Sequence, residues 1–253
     1  MKLTYVVLIL VFASLYSCAN KNTDSETIST PTETVKDTIE QINEPVENYI
    51  MDSLELSIIN AGLVNVQDSI PEILVDLKYS TTDNFMQQNV YGNLKRAYVQ
   101  PDLIADLRKV QNYLKEKDSS LTLLIYDAVR PRSVQQIMWD ILDMPTSEKT
   151  KFVSNPKNGS VHNYGAALDI TIAKTDGTAL DMGAGYDDIR QIAYPRFEKA
   201  YLDSGMLSLA QIENRNLLRE VMRVGGFTGI QTEWWHFNRY SRATCESKYQ
   251  ILE

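Results

Sequence analysis

The pattern of hydrophobic and polar residues divides the chain from residue 51 onward into segments of strand length and helix length. Apolar or β-branched runs of strand length occupy Glu72–Ser80, Leu121–Ala128 and Ala167–Ala173. A fourth short run, Thr232–Phe237, contains two adjacent tryptophans, whose side chains point to opposite faces if the segment is extended. These four runs predict the strands of a sheet.

Helical spacing is clearest after Pro101, a residue type favoured in the first turn of a helix. The apolar positions at this spacing are Leu103, Ile104, Leu107, Val110 and Leu114. Helical patterns also cover Ser133–Leu142 and Leu209–Phe227, and the second of these closes at Gly225 and Gly226, where a left-handed cap is expected. Because strands and helices do not alternate strictly, we expect an α+β fold with a mainly antiparallel sheet and flanking helices.

The N-terminal residues have a different character. An apolar run follows Lys2 and is shorter than the roughly 20 residues that a membrane-spanning helix needs, but it fits an export signal. The run ends in LYSC, which resembles the lipobox of bacterial lipoproteins, with Leu15 and Ser17 before Cys18. Residues 1–18 are therefore predicted to be a signal peptide that ends in lipidation of Cys18. The alternative is plain secretion, with the signal cut elsewhere and Cys18 incidental.

Residues 19–50 are rich in Thr, Ser, Glu and Asn and contain few large apolar side chains. Such a segment cannot offset its ordering entropy by burial, so we expect a disordered acidic tether. Residues 51–253 then form the folded catalytic domain. The expected location is the cell envelope, in the periplasm or on the outer surface, with the membrane contacted through the lipid on Cys18.

Composition and charge exclude some partners. The 253 residues are 43% hydrophobic and 23% charged, which is typical of a globular protein with one sizeable core. The net charge is −8 and no basic stripe is present, so a nucleic-acid partner is not expected. If Cys18 carries a lipid, Cys245 has no intramolecular partner and stability must come from packing.

The chain contains only two histidines, and each lies near a carboxylate. His162 precedes Asp169 by seven positions, and Glu233 precedes His236 by three. A catalytic Zn²⁺ needs about three protein ligands and an open position, which His162, Asp169 and His236 would supply. Glu233 would then be placed as a general base that does not itself bind the metal. The alternative for each histidine taken alone is a packed core residue.

Two motifs resemble a known family. Ser160, His162, Gly165, Ala167 and Asp169 form SxHxxGxAxD, and ExxH follows at residues 233–236. This combination is similar to the zinc D,D-peptidases, which include the VanX-type D-alanyl-D-alanine dipeptidases and the related D,D-carboxypeptidases. The stretches VDLKYSTTDNFM (75–86) and YDAVRP (126–131) resemble the dipeptidase branch. The resemblance extends from about Ser69 to Tyr240 and implies the zinc D,D-peptidase (hedgehog-like) fold.

The resemblance also implies roles for individual residues. It implies one Zn²⁺ per chain held by His162, Asp169 and His236, with Glu233 as the catalytic base. It implies that Arg130 stabilises the developing oxyanion.

Two further residues are implied to face the substrate. Asp187 matches a carboxylate that holds the substrate's free ammonium, and Ser160 matches a serine near the substrate. Alternatives remain open: Arg130, before a proline, could be a surface turn residue, Asp187 could cap the segment beginning near Ile189, and Asp188 lies next to Asp187.

The expected function is zinc-dependent hydrolysis of D-alanyl-D-alanine, or a similar small D,D-dipeptide, to free amino acids in the cell envelope. One alternative is a D,D-carboxypeptidase that trims peptidoglycan stem peptides. Another is a non-catalytic lipoprotein that binds wall peptides, and an intact Glu233 argues against it because a binding protein needs no base there.

Overall fold

A computed structural model describes residues 51–253. The predicted signal peptide, the lipidation site at Cys18 and the acidic tether lie outside the described residues, so they stay predictions. Within the described range, no helix has the length and apolar character needed to cross a membrane.

The elements follow one another without strict alternation. The helices, in chain order, are α1 (Ser53–Asn60), α2 (Val66–Ser69), α3 (Leu103–Lys117), α4 (Arg132–Ile141), α5 (Thr146–Lys149), α6 (Glu198–Asp203), α7 (Leu209–Val224) and α8 (Arg242–Lys248). The strands are β1 (Val64–Asn65), β2 (Leu74–Val75), β3 (Tyr98–Val99), β4 (Leu121–Asp127), β5 (Ala167–Lys174), β6 (Thr228–Gly229) and β7 (His236–Asn238). Four single 3₁₀ turns lie at Lys78–Ser80, Val161–Tyr164, Gln191–Ala193 and Pro195–Phe197.

The main sheet has five strands in the order β2-β4-β5-β7-β6, and β1 pairs separately with β3. Only β2 and β4 run parallel, while the other three pairings in the sheet are antiparallel. This confirms the expected α+β class with a mainly antiparallel sheet. The two long strands, β4 and β5, form its centre, because their almost continuous apolar sequences are buried on both faces.

The predicted helices are confirmed and cover this sheet. Leu107, Val110 and Leu114 of α3 are fully buried, and α3 contacts both β4 and α7. α7 ends directly before Gly225, where an added Cβ would lie 2.5 Å from the Val110 side chain. The left-handed conformation is adopted by Gly226, with φ of 77°.

The predicted strand at Glu72–Ser80 is mostly wrong. Only Leu74 and Val75 pair with β4, and a 3₁₀ turn follows at Lys78–Ser80. Ile73, Leu77 and Tyr79 of this run are nevertheless buried, with Tyr79 only 2% exposed. The chain leaves the edge of the sheet so that Tyr79 can enter the core, and alternation alone does not reveal such a turn.

The strand predicted at Thr232–Phe237 is also shorter than expected, because β7 begins only at His236. Trp234 and Trp235 precede it in irregular backbone, and both are buried. Their rings make an edge contact with centroids 5.4 Å apart. Because neither tryptophan belongs to a strand, the alternation expected of an extended segment does not apply to them.

The turn that carries His162 depends on one glycine. The 3₁₀ turn Val161–Tyr164 ends at Gly165, whose φ is 64°. A Cβ at this position would lie 2.5 Å from the Leu63 side chain. Both the backbone angle and the available space therefore favour glycine.

We expect Gly165→Ala to destabilise the domain more than Gly177→Ala. Gly177 has φ of 90° and nothing within 4 Å of an added Cβ, so alanine there adds only the left-handed strain of about 1 to 2 kcal/mol. At Gly165 crowding against Leu63 adds about 1 to 3 kcal/mol. Urea unfolding of the two variants measures the difference, and equal losses would show that Leu63 moves aside without cost.

Candidate active site

Asp169 and His236 are neighbours because two strands pair in a fixed register. Asp169 lies on β5 and is the direct partner of His236, the first residue of β7. His162 is carried by the 3₁₀ turn just before β5. The pairing places two side chains on one face of the sheet, and the turn brings the third to them. Ligand atoms of all three residues lie within 4.8 Å of one another.

The hydrogen bonds of the two imidazoles assign their protons. Nδ1 of His162 lies 2.6 Å from the Ala128 carbonyl oxygen, and Nε2 of His236 lies 2.9 Å from Oδ1 of Asn238. Since both partners are acceptors, each of these ring nitrogens is a donor. In the neutral tautomers that these two donors define, Nε2 of His162 and Nδ1 of His236 carry the lone pairs that a metal ion would use, whereas in the protonated form Nδ1 of His236 donates to Asp169.

These two lone-pair nitrogens face each other across 3.2 Å. Oδ1 of Asp169 lies 3.3 Å from the His162 nitrogen and 3.0 Å from the His236 nitrogen. Burial lowers the pKa of His236, but its hydrogen bond with Asp169 and the charge of that carboxylate outweigh burial and raise the pKa. Positive charge is thus favoured where the two nitrogens and the carboxylate oxygen meet. Two imidazole nitrogens and one carboxylate oxygen form a ligand set that fits a zinc ion, and the hydrogen bonds on the far side of each imidazole would orient the rings.

Glu233 lies beside this cluster, three residues before His236 and outside the strand. Its Oε2 is 3.9 Å from Nδ1 of His236, and its carboxylate faces the cavity. Desolvation raises the pKa of Glu233 above its ordinary value, although the neighbouring His236 opposes the shift. A carboxylate with a raised pKa next to the metal-binding atoms can take up a proton more readily than an exposed one.

Arg130 is buried, with 6% exposure, so the interpretation of a surface turn residue is wrong. Its Nε and Nη2 contact Oδ2 of Asp127 at 3.0 and 2.5 Å, and Nη2 lies 3.6 Å from Oδ2 of Asp169. The guanidinium also lies 5.0 Å from the ring centroid of Tyr79. Asp127 is itself fixed by the hydroxyl of Tyr91, which donates to its Oδ1 over 2.6 Å. This arrangement holds the cation rigidly in the cavity wall.

Asp187 has a strained backbone and a partly unsatisfied carboxylate. Its φ is 60°, which is unusual for a residue other than glycine. The hydroxyl of Tyr79 donates to Oδ1 over 3.0 Å, but Oδ2 is buried and has no hydrogen-bond partner among residues 51–253. Burial, together with the charge of Asp169, raises the pKa of Asp187 to about 8. A strained residue with an orphaned acceptor in a cavity indicates a ligand-binding role more than a helix cap.

The neighbouring Asp188 has a different environment. Its carboxylate accepts hydrogen bonds from the backbone N–H and the guanidinium of Arg190. Asp188 also lines the cavity, but Arg190 engages its carboxylate, whereas Oδ2 of Asp187 has no partner among residues 51–253.

Ser160 reaches the cavity wall, but its hydroxyl proton is already used. Oγ donates to Oε1 of Gln135 over 2.9 Å, and the backbone N–H donates to Oδ1 of Asn163 over 2.6 Å. Only the lone pairs of the hydroxyl remain for another donor.

All seven of these predicted residues line one cavity of about 970 Å³. Three residues that sequence reasoning did not assign support it. Tyr79 orients Asp187, Asp127 orients Arg130, and the hydroxyl of Tyr186 donates to Oδ2 of Asp169 over 3.0 Å. Tyr79 and Asp127 lie within the two stretches that resemble the dipeptidase branch, so the signal was present, although it did not indicate their contacts.

Comparison with known proteins identifies the family. Residues 59–251 match the peptidase M15 family, described as D-Ala-D-Ala dipeptidase. A relative from Escherichia coli K12 is 35% identical over 69% of this chain and 83% of its own length. A relative from Streptomyces coelicolor is 29% identical over 68% of this chain and 88% of its own length. A relative from Enterococcus faecium is 25% identical over 70% of this chain and 90% of its own length. All three relatives are named D-alanyl-D-alanine dipeptidase, and the chain belongs to this family of metallopeptidases.

Proposed function

We propose that this protein is a zinc dipeptidase that hydrolyses D-alanyl-D-alanine, or a similar D,D-dipeptide, to free amino acids. The observation that carries the proposal is the convergence of Nε2 of His162, Oδ1 of Asp169 and Nδ1 of His236, with Glu233 beside them. His162, Asp169 and His236 would hold a zinc ion, which would supply Lewis-acid chemistry for the scissile carbonyl and the attacking water.

Glu233 is proposed as the general base. Its carboxylate accepts a proton from the attacking water and later delivers it to the leaving amine. The raised pKa of Glu233 suits this task, because the protonated form persists long enough to act as an acid. A binding protein would have no use for such a group, so Glu233 supports an enzyme.

Arg130 is proposed to stabilise the negative charge that develops on the carbonyl oxygen. Asp127 already orients the guanidinium, so little reorganisation accompanies the reaction. One preorganised donor of this kind contributes about 3 to 4 kcal/mol to transition-state stabilisation.

Asp187 is proposed to bind the free ammonium of the dipeptide. The orphaned Oδ2 lacks a donor, and an ammonium group there would stabilise the ionised carboxylate and lower its raised pKa. Ser160 is proposed to contact the substrate through its remaining lone pairs. A stem peptide, the substrate of a carboxypeptidase, presents a neutral amide where the dipeptide has its ammonium, so it would leave Asp187 unpaired.

Metal binding and proton transfer are expected to separate by mutation. Purified full-length protein should contain about one zinc per chain, and His162→Ala or His236→Ala should lose it because a three-ligand site has none to spare. Glu233→Gln should keep its zinc and lose most of its turnover on D-Ala-D-Ala, since its carboxylate acts on water. Elemental analysis and an amino-acid release assay measure both quantities.

Asn238→Ala is the control for this set, because Asn238 contacts His236 without offering a ligand atom to the cluster. It should weaken zinc binding about 10- to 100-fold without abolishing it. Full zinc occupancy in His162→Ala, or loss of zinc in Glu233→Gln, would show that the ligand roles are wrongly assigned.

Free D-Ala-D-Ala should be cleaved much faster than N-acetyl-D-Ala-D-Ala. Asp187→Asn should lower kcat/KM for the free dipeptide about 10- to 100-fold, because a charge-assisted hydrogen bond is lost, and should change cleavage of the acetylated compound little. Asp188→Asn removes the same charge one residue away and should leave the ratio of kcat/KM for the free dipeptide to kcat/KM for the acetylated compound unchanged. Faster cleavage of the acetylated compound by the unmodified enzyme would favour a carboxypeptidase.

We also propose that the protein is exported to the cell envelope and anchored by lipid on Cys18, on the support of the sequence of residues 1–18. Cys18→Ser should move the protein from the membrane fraction to the soluble fraction and abolish labelling by a fatty-acid probe. Cys245 is buried, so it is not expected to take up the probe in the variant. Unchanged membrane fractionation of Cys18→Ser would exclude the lipid as the anchor.

A further inference from the structure

Arg215 is an arginine on α7 with only 1% exposure, and it is among the largest fully buried side chains of residues 51–253. Its Nε donates to the Met182 carbonyl oxygen over 2.7 Å, and its Nη2 donates to the Ile192 carbonyl oxygen over 3.1 Å. Its Nη1 pairs with Glu198 at 3.2 Å. One guanidinium therefore bonds to two carbonyls that lie ten residues apart in the chain.

A buried guanidinium is costly, because desolvation disfavours its charge. Burial accordingly lowers the pKa of Arg215, although Glu198 opposes the shift. An apolar residue would suit the face of α7 that buries Leu218, Val221 and Met222. The contacts with the two loop carbonyls are the feature of Arg215 that such a residue could not replace.

The segment between these carbonyls, residues 182–192, is named here the Asp187 loop. Its first half has other attachments: the Trp234 indole N–H donates to the Ala184 carbonyl oxygen, and Tyr186 packs against Trp235 with centroids 5.4 Å apart. In its second half, Arg190 bonds to Asp188 inside the loop, and among residues 51–253 the hydrogen bond to another element is the one from Arg215. The bond from Arg215 to Ile192 joins this half to α7.

Asp187 lies at the junction between the two halves. Its left-handed backbone is unfavourable for an aspartate and persists only where the surroundings hold it. Its carboxylate has one hydrogen bond, from Tyr79. The position of Oδ2 therefore depends on the path of the loop more than on contacts of the side chain itself.

We infer that Arg215 is a positioning residue for substrate selection: by bonding to both ends of the Asp187 loop, it holds Asp187 where the ammonium of a free dipeptide binds. The inference rests on the proposed function. It assigns to α7, outside the cavity, a part in distinguishing free dipeptides from N-blocked peptides.

The test compares zinc-loaded full-length enzyme with Arg215→Met and Arg215→Lys, using D-Ala-D-Ala and N-acetyl-D-Ala-D-Ala. For Arg215→Met we expect KM for the free dipeptide to rise about 10-fold while kcat changes less than about 3-fold, because only placement of an ammonium partner is lost. Cleavage of the acetylated compound should be unchanged. The ratio of the two kcat/KM values therefore falls about 10-fold.

This ratio does not depend on the fraction of folded enzyme, so general destabilisation cannot imitate the result. Arg215→Lys keeps a charge near Glu198 but lacks the planar fork that reaches two carbonyls, and its ratio should fall by about 3-fold or more. If Arg215→Met does not fold, the result for Arg215→Lys decides between the outcomes. The matched control is Arg219→Met, because Arg219 pairs with Glu198 at 2.8 Å but bonds to neither loop carbonyl.

A wild-type ratio in Arg215→Lys, or an equal fall in Arg219→Met, would overturn the inference. A wild-type ratio in Arg215→Lys would show that the loop keeps its conformation without the two bonds from the guanidinium. An equal fall in Arg219→Met would attribute the effect to the ion pair with Glu198. Failure of the unmodified enzyme to cleave free D-Ala-D-Ala would instead overturn the proposed function, so the two failures are distinguishable.

Discussion

The site depends on one row of residues that crosses three strands. Asp127 on β4 is the partner of Asp169 on β5, and Asp169 is the partner of His236 on β7. Two carboxylates directly opposite each other repel, so this row requires a cation to be stable. Arg130 supplies it, with Nη2 2.5 Å from Asp127 and 3.6 Å from Asp169. The β4–β5 register shifts by one residue between Ile125 and Asp127, and this irregularity is what brings Asp127 opposite Asp169. The register of the sheet is therefore inseparable from the chemistry of the site.

Charge balance explains why the cavity suits two positively charged guests. Asp169, Asp187 and Glu233 all face it, and Arg130 is already engaged by Asp127. The charge of Asp169 raises the pKa of both Asp187 and Glu233, in addition to their burial. A divalent cation beside Asp169 would reduce this repulsion, and an ammonium beside Asp187 would supply the donor that Oδ2 lacks.

Sequence reasoning found the residues whose roles depend on local spacing. The seven-residue interval from His162 to Asp169 spans a tight turn and the start of a strand, and both are readable from Gly165 and the alternation after it. It did not find partners that meet only through the tertiary fold. Asp127 looks like the polar end of an apolar strand, and its contacts with Tyr91 and Arg130 depend on how distant segments pack.

Arg215 shows the same limit on a helix. In the sequence it stands among charged and amide residues, as an exposed position does, and the pattern predicts an ordinary solvated side chain. The structure buries it because the loop at residues 182–192 covers that face of α7. Hydrophobic periodicity describes what an element buries against the core, but it is silent about polar loops that fold back over the element.

Two separate supports hold the two halves of the site. The catalytic half is braced through the sheet and through backbone bonds, since the Arg130 N–H donates to the His162 carbonyl oxygen over 3.1 Å and Nδ2 of Asn163 donates to the Arg130 carbonyl oxygen over 2.7 Å. The Asp187 loop also contacts this half, since the hydroxyl of Tyr186 donates to Oδ2 of Asp169. The loop itself is held by Trp234 and Trp235 in its first half and by Arg215 of α7 at both ends. Under the proposed roles, recognition of the ammonium depends on the path of the Asp187 loop more than hydrolysis does, so changes on α7 are expected to alter which peptides are accepted more than they alter the hydrolytic residues.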